Sequence, residues 1–219
     1  MSGPTDAGQG LGLLSLVQWL SPGFPTGGFA YSHGLETAMV AGDVTDATSL
    51  GQWISDVLEY GAGWADVILL CHALTPGADL DALAGLARAL APTAERLRET
   101  DDLGAAFGRV SNALQGVARP ARPLPIALGA AARGLGLPPA TIAALFLHGF
   151  AASLVSAAVR FVPLGQTEGQ QVLAGLHPLI LRLANAAQDA PLAAICSATL
   201  RADMASARHE TLEVRIFRT

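Results

Sequence analysis

Ser32, His33 and Glu36 stand close together and carry the residue types of a nucleophile, a base and a carboxylate. Neighbours at i and i+1 on a helix point apart, so Ser32 and His33, read as the start of a helix, would not meet as a nucleophile–base pair. No G-x-S-x-G elbow occurs in the chain. His33 and Glu36 share a helical face at i, i+3, as metal ligands do. A helical metal-dependent enzyme built on His33 and Glu36, with His209 as a further ligand, is therefore the alternative reading. Helical di-metal sites use Glu-x-x-His twice with added glutamates; here the order is reversed and there is one copy. Cys71 and His72 are adjacent, His148 is isolated, His177 precedes Pro178, and no pair has the spacing of a zinc site. No catalytic residue, tightly held metal or cofactor is expected.

The 13 basic residues are all arginine, because the sequence contains no lysine. Schiff-base chemistry, a lysine base and a G-x-x-x-x-G-K-[ST] phosphate loop are thereby excluded. Gly8–Gly12 and Gly61–Gly63 resemble pieces of dinucleotide loops, yet neither follows a strand. The net charge is −5 with the arginines scattered, which speaks against nucleic acid. Charged residues make up 14% of the chain and apolar ones 51%, enough for a large core and for apolar area turned to a partner. Met1 to Gln9 lacks a basic stretch leading into an apolar run, so no secretory signal is expected and the cytoplasm is the default. Cys71 and Cys196 then read as two buried thiols rather than a disulfide.

The elements that must position these groups read as helices. Leu13, Leu16, Val17 and Leu20 recur at i, i+3, i+4 and i+7, and Leu50, Trp53, Ile54, Val57 and Leu58 repeat that stripe. Asp79 is an N-cap for a stripe of Leu80, Leu83, Ala84 and Ala87. Leu103, Phe107, Val110, Leu114 and Val117 form another, and Val172, Leu173, Leu176, Ile180 and Leu183 the next, with Thr167 and Gln170 as its capping box. Ser21-Pro22-Gly23, Pro76-Gly77, Pro120 to Pro125 and Pro138-Pro139 punctuate the helices, and Pro178 should kink or split the last. Ala140 to Val159 carries no formal charge over a length that could cross a bilayer, but its alanines, His148 and serines suit a buried core helix better. No membrane span is expected. The fold is all-α, a single domain over 1–219 with roughly eight to ten helices, a disordered start at 1–9 and a charged tail at 203–219.

Three stretches resist this plain reading. Ser21 to Glu36 is rich in proline and glycine and presents Phe24, Phe29 and Tyr31, suited either to a binding surface or to a packed internal corner. Pro163 to Gln171 opens a helix with Gln166, Glu168 and Gln171, more polar groups than capping needs. From Asp203 the tail interleaves Arg208, His209, Glu210, Glu213, Arg215 and Arg218 with Leu212, Val214, Ile216 and Phe217. It is either a frayed terminus or an arm that orders on a partner.

Together these stretches resemble the UreF family of urease accessory proteins. The resemblance rests on Ser21-Pro22-x-x-Pro25-x-Gly27-x-Phe29-x-Tyr31-Ser32-x-Gly34-Leu35-Glu36 and on Arg160-x-x-Pro163-Leu164-Gly165-Gln166-Thr167-x-Gly169-Gln170. It rests also on Ser206-x-Arg208-His209-Glu210-Thr211 with Arg215-x-Phe217, and more weakly on Arg98-Glu99-Thr100. Glu168 stands where the family often has aspartate. The likeness implies an all-α homodimer without enzymatic activity. Such a protein binds the accessory protein UreD (UreH), recruits the GTPase UreG and helps deliver nickel into apo-urease. It further implies that Ser206, Arg208, His209, Glu210, Thr211, Arg215 and Phe217 meet UreD. Pro25, Phe29, Tyr31, Ser32, Glu36, Pro163, Gly165, Gln166 and Gln170 are further contact or dimer-supporting residues.

Overall fold

The computed structural model describes residues 4–219, with side chains from residue 8 onward. Eleven α-helices and two single 3-10 turns make up the regular structure of these residues, and no strand occurs among them. In chain order the helices are α1 (Pro4–Leu20), α2 (Leu35–Val40), α3 (Ala47–Tyr60), α4 (Ala62–Leu74), α5 (Leu80–Ala89) and α6 (Ala94–Gln115). They continue as α7 (Leu124–Ala132), α8 (Pro139–Val159), α9 (Gln166–Gly175), α10 (His177–Ala187) and α11 (Leu200–His209). Of the start expected to be disordered, residues 1–3 lie outside the described residues and 4–9 belong to α1. Eleven helices is one more than the expected eight to ten.

Local chemistry sets the boundaries. Asp46 caps α3 by accepting from the Ser49 N–H at 2.8 Å, and Asp79 accepts from the Asp81 and Ala82 N–H groups at the start of α5. Gly61 alone separates α3 from α4. Pro178 divides α9 from α10, as a proline in an apolar repeat should. The cap of α9 differs from expectation. Glu168 reaches back to accept the Gly165 N–H at 2.9 Å, so Gly165 and Glu168, not Thr167 and Gln170, close that helix start.

The apolar helix α8 sits in the middle, contacted by α1, α2, α3, α4, α9 and α10. Its Ile142, Leu147, Ala151, Leu154 and Ala158 are fully buried beside Leu50, Ile54 and Leu58 of α3 and Ile68 and Leu70 of α4. The expected core role of 140–159 is thus its role in the bundle. One stripe buries a different face from the one the periodicity suggested, and another is buried only over its first part, at Leu103 and Phe107. In α1 the inward residues are Gly12, Leu16 and Trp19, while Leu13 and Val17 face out. Gly12 lies so close to the Leu135 carbonyl that no side chain fits there, and this contact rotates the helix. In the stripe over α6, Leu114 and Val117 are exposed. Cys71 and Cys196 are free thiols as expected, but Cys196 is exposed rather than buried.

Candidate functional site

The charged tail folds back onto its own chain. Loop 21–36, the start of α6 and the segment after α11 meet in a buried ionic cluster, although sequence separates them widely. Gly34 opens α2 with φ of +74°, where glycine is unstrained, and a Cβ there would lie 2.6 Å from the Ser206 nitrogen of α11. That close approach seats α11 against α2.

Glu36, on the first turn of α2, is 2% exposed and accepts three hydrogen bonds from the tail. The Ile216 and Phe217 N–H groups donate to its two oxygens at 2.8 and 2.9 Å, and His209 Nε2 donates at 3.0 Å. The other ring nitrogen of His209 is hydrogen-bonded to Glu95 at 2.7 Å. His209 thus spans the two carboxylates through its two ring nitrogens, fully buried between them. Arg215 donates to the second Glu95 oxygen at 2.6 Å. Glu95 thus pairs with Arg215 while both carboxylates are hydrogen-bonded to the His209 ring, so neither is buried without partners. Burial pushes the Glu36 carboxyl up, but the hydrogen bonds from His209, Ile216 and Phe217 outweigh it and hold the group below the ordinary carboxylate range.

A second cluster lies beside the first. Ser32 donates through its hydroxyl and its N–H to the Thr219 main-chain oxygen. Thr219 Oγ1 donates to Glu99 at 2.9 Å, and Glu99 also takes Arg96 at 2.6 Å and His33 Nε2 at 2.6 Å. Burial raises the Glu99 carboxyl, but the Arg96 charge overrides this and brings it down to about 2. Burial and the same guanidinium lower His33, so its ring is neutral near pH 7 and donates as the Nε2–H tautomer. Asp66 stands 3.8 Å from Arg96, and burial pushes its carboxyl up to about 6.

Main-chain pairing and Arg160 complete the seat. Arg218 N–H donates to the Ala30 carbonyl at 2.7 Å. Arg160, at the end of α8, donates to the Phe29 carbonyl at 3.1 Å and stacks its guanidinium 4.9 Å from the Phe217 ring centre. Over residues 216–219 outward and inward residues alternate. Phe217 and Thr219 are buried, whereas Val214 is 83% and Ile216 64% exposed, beside Phe29 at 71%.

The residues singled out from the sequence therefore divide. Tyr31, Ser32, Glu36, Ser206, His209 and Phe217 are buried inside this chain. Pro25, Phe29, Arg208, Glu210, Thr211 and Arg215 lie at its surface, and of these Arg215 and Glu210 reach the cluster, Glu210 by accepting the Glu95 N–H at 3.1 Å. Pro163, Gly165, Gln166 and Gln170 are exposed on the turn into α9, which packs on α3 and α8 rather than on the cluster. His33 and Glu36 do not share a helical face: His33 has φ of +53° ahead of α2, and the two side chains turn to different partners. The metal-ligand pairing suggested by their spacing is not formed. Among the described residues no three His, Cys, Asp or Glu side chains are grouped to hold a metal ion.

Glu95, Arg96, Asp66 and Thr219 escaped the sequence reading. A signal for the first two was present, since Glu95, Arg96 and Glu99 crowd one turn after the cap Thr93 in a chain poor in charge.

The chain was compared with known protein families and curated proteins. The UreF family profile matches residues 44–177. A urease accessory protein UreF of Cereibacter sphaeroides is 66% identical over 94% of this chain and 98% of its own length. The proteins of that name from Paracoccus denitrificans and Jannaschia sp. are 52% and 48% identical, covering 94% and 99% of this chain and 95% and 99% of their own. The chain belongs to the UreF family of urease accessory proteins.

Proposed function

We propose that this chain acts without catalysis of its own, as a homodimeric cytoplasmic bridge between UreD (UreH) and the GTPase UreG during GTP-dependent nickel insertion into apo-urease. One observation carries the reading. Phe29, Val214 and Ile216 hold large apolar side chains in solvent on a backbone pinned by Glu36, Arg160 and the Ala30 carbonyl. Exposed apolar groups on a rigid base lose little conformational entropy on docking, which favours a protein partner. Arg208, Glu210, Thr211 and Arg215 provide a polar rim around them, as in ordinary interfaces. UreD is the partner assigned to this face.

In this reading Ser32, Glu36, Ser206, His209 and Phe217 serve the interface from beneath, by shaping the tail. The turn carrying Pro163, Gly165, Gln166 and Gln170 is a separate exposed surface, available for UreG or a second copy of the chain. Size-exclusion chromatography with light scattering tests the assignment. The intact chain should form a complex with its UreD homologue, and that complex should take up UreG with GTP. Absence of a complex between the intact chain and UreD removes the proposal.

A further inference from the structure

His148 and His177 are 29 positions apart in sequence, yet their ring centres lie 5.5 Å apart, inclined by 44°. One ring projects from the middle of α8 and the other from the first residue of α10, two helices packed along their length. His177 is exposed and His148 half-buried, so water reaches the pair. The other imidazoles are already engaged: His33 on Glu99, His72 on the Ala190 carbonyl, and His209 between Glu36 and Glu95. Phe150, two residues beyond His148 and so on the other side of α8, packs edge-on against His33. The pair is therefore distinct from the tail cluster.

We propose that His148 and His177 together bind one divalent transition-metal ion of the nickel, copper or zinc type, each through a ring nitrogen. With metal–nitrogen bonds of about 2.0–2.1 Å, two imidazoles on one ion place their ring centres roughly 4.5–5.5 Å apart. The observed separation falls at the upper end of that range. Neutral imidazole suits these ions and not magnesium or calcium, which prefer oxygen. No third His, Cys, Asp or Glu is grouped with the pair among the described residues, so water fills the remaining positions. An ion held by two protein ligands exchanges readily, and the site is one of passage rather than storage. It stands independently of the partner surface proposed above.

The competing ligand is the exposed Cys196 thiol, which Cys196→Ser removes. Calorimetric titration of Ni²⁺ into the metal-free, tag-free full chain carrying that substitution should show one ion per chain. His148→Asn and His177→Asn should each weaken binding at least roughly tenfold, since even loss of a ligand's supporting partner costs about 10- to 100-fold. In the unsubstituted chain, paramagnetic Ni²⁺ should broaden the ring signals of His148 and His177 before those of the other histidines. Absence of binding, affinity unchanged in both variants, or broadening centred elsewhere would overturn the site and leave the stacked pair a packing contact. Complex formation with UreD in metal-free buffer is a separate measurement, so loss of this site and loss of the bridging function are distinguishable.

Discussion

Glu36 and His209 meet at 3.0 Å across 173 residues of chain, and both are almost entirely buried. A short helix after a glycine-rich loop thus holds the last turn of α11. The same carboxylate takes the Ile216 and Phe217 N–H groups. An acceptor with three donors converging on it fixes both the position and the direction of the tail, and with them the surface that Phe29 and Ile216 present.

Removing that acceptor strands the buried His209 ring and two main-chain donors. Breaking a buried ion pair from one side costs about 3–5 kcal/mol, so Glu36→Ala should lower Tm by roughly 10 °C. Glu36→Gln, which keeps one acceptor oxygen, should lose less. Limited proteolysis should cut the tail of Glu36→Ala first, after Arg215 or Arg218. Equal cleavage of variant and parent would show that the tail is held by other contacts.

Glu99 makes stability depend on acid. Its carboxyl lies at about 2 in the folded chain against an ordinary 4.5, so its contribution is complete above 4.5 and is lost as pH falls towards 2. The size is about 3 kcal/mol. His33, lowered from 6.5, adds a loss of the same sign below that value. Urea unfolding of Glu99→Gln against the parent should give a stability gap that is wide at neutral pH and narrows through the acid range. A gap independent of pH would contradict the Arg96–Glu99 pairing.

Asp66 works in the opposite direction. Burial raises its carboxyl from 3.8 to about 6, so it favours the folded state at low pH and becomes a liability as pH rises from 3.8 through about 6. Asp66→Asn should stabilise the chain by about 1–3 kcal/mol above that range and by little below it, the figure allowing for its partly exposed side chain. Thermal unfolding at two pH values decides the sign. Destabilisation at neutral pH would mean that Asp66 supports Arg96 more than its burial costs.

The helices were legible because burial of one face writes a local period: Leu50, Trp53, Ile54, Val57 and Leu58 are all buried as spaced. Pro178 and Asp79 were legible because their effects are chemical and act within one turn. The face of α1 was not, since it depends on how closely Gly12 approaches Leu135, a tertiary contact with no periodic trace. The ionic cluster was half legible. The stretches around Glu36, Glu99 and His209 stood out as motifs, yet nothing local tells that Glu95 will find a histidine 114 residues away. Charged residues in a tail read as solvated by default, and only the pairing made possible by the fold reverses that.

The partner surface is the last test and separates two kinds of tail residue. Phe29→Arg and Ile216→Asp alter exposed side chains without touching Glu36, Glu95 or Glu99, so stability should change by less than about 1 kcal/mol. If UreD docks on this face, each places an unpaired charge opposite an apolar patch and should weaken the complex by roughly 2–4 kcal/mol, about 30- to 1000-fold in Kd. Glu36→Ala should weaken it as well, but together with Tm, because it acts through the shape of the tail. Gln166→Ala, on the turn into α9, should leave UreD binding unchanged. Affinities by biolayer interferometry alongside thermal unfolding distinguish these patterns. Full affinity in both surface variants would move the UreD contact away from Phe29 and Ile216, and loss in Gln166→Ala would move it towards α9.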